Sequence, residues 1–171
     1  MPEQFFLETR IREIIMASPE IISKVAKNSS KVRKRIISTI SNTPLIKSKV
    51  NPLLFFKSEN FQLTGSFKVR GALSKLSELP ADKEIITASS GNHGIACSFA
   101  AKTTGHKLTV VLPENVATAK LKKIKSYGTR TLLNPGDSGL AERKARELAF
   151  SGKYTYVSPY NDDLVIGGQG T

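Results

Sequence analysis

From Lys83 onward the chain alternates short apolar runs with longer amphipathic ones, and this alternation constrains the fold more than any other feature. Residues 84–88, 107–112, 129–133 and 154–157 have the character of strands, whereas 93–103, 117–127 and 139–150 have helical spacing. The connections are short and carry Gly105, Pro113, Gly128, Asn134-Pro135-Gly136 and Gly152. Strand and helix in strict alternation at this spacing imply a parallel sheet with helices covering its faces. The expectation is a three-layer α/β unit over residues 83–160.

The first half is less regular. Residues 3–16 carry Phe6, Leu7, Ile11, Ile14 and Ile15 near one helical face. Ser18-Pro19-Glu20 is a helix start, with a hydroxyl cap, a proline in the first turn and then an acid. Ile21, Ile22 and Val25 are its expected buried side. Turns at Ser41–Leu45 and Asn51-Pro52 lead to a short apolar strand at 53–56. The stretch from Ser58 to Ala72 follows, ending in a helical pattern with Val69, Ala72, Leu73 and Leu76 on one face. Within it Lys68 follows Thr64, Gly65, Ser66 and Phe67. A lysine at the edge of a core can shed its proton and attack a carbonyl; a solvated lysine at a helix start has the same local pattern.

Two further blocks matter. Ala88-Ser89-Ser90-Gly91-Asn92-His93-Gly94 leaves one expected strand and opens a helix, whose first backbone N–H groups lack partners and attract anions. Ser and Asn are also ordinary cap residues, so the loop alone fits a simple helix cap. Val165-Ile166-Gly167-Gly168-Gln169-Gly170-Thr171 closes the chain.

Taken in order, the three blocks resemble the fold-type II pyridoxal-phosphate enzymes (tryptophan synthase β-like), in the serine/threonine dehydratase and serine racemase branch. The resemblance runs from about Ser41 to Thr171 and includes Thr43-Pro44-Leu45. One difference is Gly167-Gly168, where the family more commonly has Ala-Gly. The resemblance implies that 1–82 begins a larger domain, 83–160 is a smaller one, and 161–171 starts the return, with a glycine-rich turn at Gln169-Gly170-Thr171. It implies that Lys68 forms a Schiff base with pyridoxal 5'-phosphate and returns as the base for the substrate's α-proton, with Phe67 against the ring. Ser89, Ser90, Gly91, Asn92 and His93 then take the substrate carboxylate. Asn92 also reaches the cofactor's ring hydroxyl, and Ser90 faces the side of the ring opposite Lys68. The implied activity is deaminating β-elimination of serine or threonine to a 2-oxo acid and ammonia. Serine racemase and a non-catalytic basic binding remnant are the alternatives.

The family's phosphate-holding glycine-rich loop falls beyond position 171. The expectation is therefore an N-terminal fragment of weak cofactor affinity and negligible turnover, served by a complementing C-terminal half or by a homo-oligomer. Composition sets bounds on the rest. With 39% apolar residues and no apolar run of spanning length, neither disorder nor a membrane bundle is indicated. No secretory signal is evident, and the single cysteine, Cys97, fits a reducing compartment, so the expected location is cytoplasmic. A net charge of +12 raises nucleic acid as a partner. However, the clusters at 31–35 and 120–125 have no interleaved aromatic residues to stack on bases, and 120–125 fits the wet face of an amphipathic helix. Asn28-Ser29-Ser30 as a glycosylation site and Gly136-Asp137-Ser138-Gly139 as a protease nucleophile motif are chance matches. His93 and Cys97 lie one helical turn apart, but too few ligands accompany them for a metal site.

Overall fold

The computed structural model describes residues 18–171; the helix expected at 3–16 lies outside that range. Helix α1 (Pro19–Ile36) starts where the sequence places it, with Ser18 Oγ accepting the Ile21 N–H at 3.3 Å and proline in the first turn. The expected face is covered only in its later turns, and Val25 is half-buried. Ile21 and Ile22 are 54% and 58% exposed, and the buried residues are Ser29, Val32 and Ile36. Its partner helix α6 (Asp163–Gln169) packs on the later turns, meeting Asn28 and Val32 at Gly167 and Ser29 at Gly170, and touches the second turn only through an exposed Lys24–Asp163 ion pair of 2.7 Å.

Strands β1 (Leu45–Lys47) and β2 (Phe55–Lys57) form an antiparallel ribbon with Ile46 opposite Phe56. The second strand starts two residues later than expected, because Asn51–Leu54 closes the turn. Asn51 Oδ1 and its carbonyl accept the Leu53 and Leu54 N–H groups at 3.0 and 3.1 Å. A 3₁₀ turn at Glu59–Phe61 then leads to helix α2 (Lys68–Leu76), whose Val69, Ala72, Leu73 and Leu76 are buried as expected. Arg70 locks the join. Its Nε and Nη2 each lie 2.8 Å from a Glu59 carboxylate oxygen, and its Nη1 donates to Thr171 Oγ1 at 3.2 Å. Arg70 is nearly fully buried, and stripping one partner from such a pair costs about 3–5 kcal/mol.

The second half is the parallel sheet the alternation implies. Strands β3 (Glu84–Ala88), β4 (Leu108–Pro113), β5 (Arg130–Asn134) and β6 (Tyr154–Tyr156) lie in the order β5-β4-β3-β6, every pair parallel. Helices α3 (Asn92–Thr104), α4 (Thr118–Lys125) and α5 (Ser138–Phe150) connect them. Neighbouring strand residues point to opposite faces. Ile85, Val110 and Leu112 pack with Ile95, Ala96 and Ile124 of α3 and α4, whereas Ile86, Ala88 and Val111 pack with Ala141 and Ala145 of α5. That makes three layers, and burial on both faces explains why β3 and β4 are apolar except for Glu84 and the buried threonines Thr87 and Thr109. The expected boundaries hold to within two residues. The largest shift is α4, which stops at Lys125 because Ser126 and Tyr127 tighten into a turn ended by Gly128 at φ 80. Among the described residues, no helix is long and apolar enough to cross a membrane.

Of the turn expected at Gln169-Gly170-Thr171, Gln169 is the last residue of α6 and Gly170 and Thr171 turn out of it, with the Thr171 N–H donating to the Gly168 carbonyl at 3.2 Å. Gly167 and Gly168 sit inside α6, which crosses α2 so closely that a Cβ on Gly168 would lie 2.5 Å from the Arg70 carbonyl oxygen and 2.7 Å from Gly71 Cα. A Cβ on Gly167 would meet the Asn28 Cβ at 3.2 Å, which a small shift relieves. Gly168→Ala should therefore destabilise the fold by roughly 2 kcal/mol or more through overpacking. Gly167→Ala should be near neutral, its helix propensity offsetting the contact. Urea unfolding of both variants checks the asymmetry.

Candidate active site

The strand order reverses at β3: the chain moves from β3 outward to β4 and β5, then returns through α5 to place β6 on the other side. In open α/β sheets the crevice beyond the carboxyl ends of strands at such a switch point is where ligands bind. Here the loop after β3 and the loop after β6 flank a cleft of about 420 Å³. Its walls carry Lys68, Ser89, Ser90, Asn92, His93, Glu142, Pro159 and Tyr160.

Lys68 is the first residue of α2, and its Nζ donates to the Pro159 carbonyl at 2.9 Å. Burial pushes its amine below the usual lysine range. The opposing pull of Cys97 is absent at neutral pH, because burial raises that thiol to about 12 and keeps it protonated. Phe67 lies beside the amine, its ring centroid 5.3 Å from Nζ, and is 43% exposed.

Gly91 caps α3 in an extended conformation without a side-chain cap bond, and its own N–H is held by Ser89 Oγ at 3.2 Å. The N–H groups of Asn92 and His93, at the open end of the helix, have no intrahelical partner. A Cβ on Gly94 would strike the Ser89 carbonyl at 2.2 Å, so only glycine lets the first turn of α3 fold back on this loop. Ser90 and Asn92 line the cleft.

His93 behaves differently from its neighbours. Its side chain is almost fully buried, with Nε2 3.2 Å from Thr87 Oγ1 and 3.4 Å from Cys97 Sγ. Thr87 Oγ1 commits its proton to the Val157 carbonyl at 2.7 Å, so it accepts from histidine, which assigns the proton to Nε2. Burial lowers the ring to about 4, the Lys68 charge adds to that, and the Val157 carbonyl opposes it. His93 is thus neutral at physiological pH, and what it can offer an anion is a backbone N–H.

Sequence reasoning brought together Phe67, Lys68, Ser89, Ser90, Gly91, Asn92 and His93; all but Phe67 and Gly91 line the one cleft, with Gly91 in its loop and Phe67 beside the Lys68 amine. It missed Pro159 and Tyr160, from the segment after β6, and Glu142, from α5. The one available signal was that their segments also follow strand ends.

Residues 36–171 match the pyridoxal-phosphate dependent enzyme family. The chain belongs to that family. This pyridoxal-phosphate family chain is 40% identical over 141 residues to the L-threonine dehydratase catabolic TdcB of Staphylococcus aureus (strain bovine RF122 / ET3-1), covering 77% of this chain and 41% of the relative. Its fold superposes on serine racemase from Dictyostelium discoideum with a TM-score of 0.76 at 35% identity, covering 84% of this chain and 49% of that one. It also superposes on a T.th. threonine deaminase with a TM-score of 0.74 at 35% identity, covering 83% and 47%. The chain therefore spans less than half the length of these relatives.

The residues present fit the family's cofactor at its aldehyde end. A partly desolvated amine faces the cleft, an aromatic ring adjoins it, and the hydroxyl of Ser90 and the amide of Asn92 line the same cleft.

The buried His93 makes stability pH-dependent. Unfolded, the ring titrates near 6.5; folded, it resists protonation down to about 4. As pH falls through that window the unfolded state takes up a proton that the folded state refuses, so stability drops, by roughly 3 kcal/mol at most. Urea unfolding at pH 7.5 and 4.5 should show a larger loss for the wild type than for His93→Gln.

Proposed function

We propose that this chain forms the lysine-bearing part of a cytoplasmic hydroxy-amino-acid dehydratase, which eliminates water from threonine or serine and releases a 2-oxo acid and ammonia. The observation that carries it is that the Lys68 amine and the Ser89–His93 loop line the same cleft, in a chain of the pyridoxal-phosphate family. The lone free thiol Cys97 supports a reducing compartment. The division into residues 1–82, 83–160 and 161–171, with the cleft between the two lobes, belongs to the same proposal.

When bound, pyridoxal phosphate supplies an electron sink for a negative charge at the substrate's α-carbon. The chain's own residues do the rest. Burial holds the Lys68 amine below its usual range and so favours its nucleophilic form, and the amine is placed to attack an aldehyde and to take a proton from an α-carbon in the cleft. The N–H groups at the start of α3, with Ser89, Ser90 and Asn92 around them, hold the substrate carboxylate and orient the bond to be broken. Asn92 would hold the cofactor's ring hydroxyl, and Phe67 would lie against its ring. The burial of the cleft floor by Ala88 and His93 limits water.

A second reading, racemisation, has one observation in its favour. Ser90 lines the cleft with Lys68, so a hydroxyl can serve as a proton carrier on the other side of an α-carbon.

Titration of the chain with pyridoxal phosphate should raise a visible band that is absent in Lys68→Ala, weakly if the remainder of the family's length is needed for tight binding. Incubation with L-serine then separates the readings, since pyruvate marks elimination and D-serine marks racemisation. If Lys68→Ala gives the same band as the wild type, the assignment of Lys68 fails.

A further inference from the structure

We propose that Glu142 sets which amino-acid side chains the cleft admits, favouring neutral side chains that donate a hydrogen bond and turning away acidic ones. This rests on the cleft being the amino-acid site described above.

Among the described residues, Lys68 and Glu142 are the only ones lining the cleft that are charged at neutral pH. They come from opposite sides: Lys68 from α2, and Glu142 from the second turn of α5, with Tyr160 in front of it. The Glu142 carboxylate is firmly held. Its Oε1 accepts from Arg146 Nη2 at 2.7 Å and Nε at 3.0 Å and from the Tyr156 hydroxyl at 3.2 Å. Its Oε2 accepts only the Tyr160 hydroxyl, at 3.1 Å, and keeps a free lone pair. The hydrogen bond from Arg146 holds the carboxyl below its usual range, so it stays ionised at neutral pH. Arg146 itself does not line the cleft; its guanidinium lies against the Tyr156 ring, 4.6 Å from the centroid.

The cleft wall opposite Lys68 is thus an anion and a phenol, with the compensating cation set behind them. The Lys68 nitrogen serves the aldehyde and the α-carbon, which leaves Glu142 as the charged group on the wall across from it. A hydroxyl finds an acceptor in Oε2 and a partner in Tyr160. A side-chain carboxylate meets a like charge, which costs on the order of a hundredfold in affinity at a few ångströms in a partly screened site; the charge of Arg146 offsets part of this and leaves about tenfold.

The test is a binding titration of L-serine and L-aspartate to the chain in saturating pyridoxal phosphate, followed by ligand-observed NMR, with loading at Lys68 read from the visible band. The wild type should bind serine at least tenfold more tightly than aspartate. The nearly isosteric Glu142→Gln should cut that ratio about tenfold, mainly by tightening aspartate. Tyr160→Phe should keep the discrimination, because the charge remains. Arg146→Met removes the compensating cation and should deepen the rejection of aspartate at least threefold; it gives an answer of opposite sign should Glu142→Gln fold poorly. A ratio unmoved by Glu142→Gln and by Arg146→Met overturns the proposal, as does a wild type that prefers aspartate. A chain that loads at Lys68 yet binds neither amino acid also overturns it. Failure to load at Lys68 instead defeats the functional reading on which it rests.

Discussion

The close crossing of α2 and α6 is the contact on which the site depends. Lys68 is the first residue of α2, so its amine is placed only as well as that helix is docked. Gly71 and Gly168 face each other across the crossing with no room for a side chain on Gly168, and Ser74 Oγ donates to the Leu164 carbonyl at 2.6 Å beside them. Lys75 pairs with the α6 cap Asp162 at 2.7 Å, and Arg70 reaches both Glu59 and Thr171. Backbone-to-backbone approach of this kind leaves few alternative dockings, because a packed interior deforms little.

The opposite wall is fixed by other means. The β3 loop is pressed onto α3 at Gly94 and braced from below by the Thr87–His93–Val157 hydrogen bonds. The segment after β6 is tied to β3 by the Val157 N–H and to α5 through Tyr160 and Glu142. A cleft assembled from the ends of two adjacent parallel strands and the start of a separately docked helix combines a nucleophile-capable amine with an anion-binding helix terminus. Neither feature alone distinguishes a reactive site from an ordinary lysine and an ordinary cap.

Several apolar side chains remain exposed, among them Leu45, Ile46, Phe55, Phe56 and Phe61 around the β1–β2 ribbon and Ile21 and Ile22 on α1. Contiguous apolar surface of this kind marks contact regions. It also explains why the first turns of α1 mislead a sequence reader. Their apolar spacing indicates a face to be covered, whereas α6 packs on that face from Asn28 onward and meets the earlier turns only at the exposed Lys24–Asp163 pair.

The residues by themselves determined the alternation of strand and helix over 83–160, the cap at Ser18 and the chemistry available at Lys68 and at the Ser89–His93 loop. Each of these is a matter of local periodicity, capping or side-chain type. Tertiary structure alone decided that Gly168 serves a close helix crossing, that His93 is a neutral internal brace, and that Glu142 and Tyr160 share the cleft with Lys68. The reason is physical. Close approach, desolvation and the meeting of residues more than 70 positions apart, such as Lys68 with Pro159, arise only when the sheet order and the docking of α2 bring distant segments together.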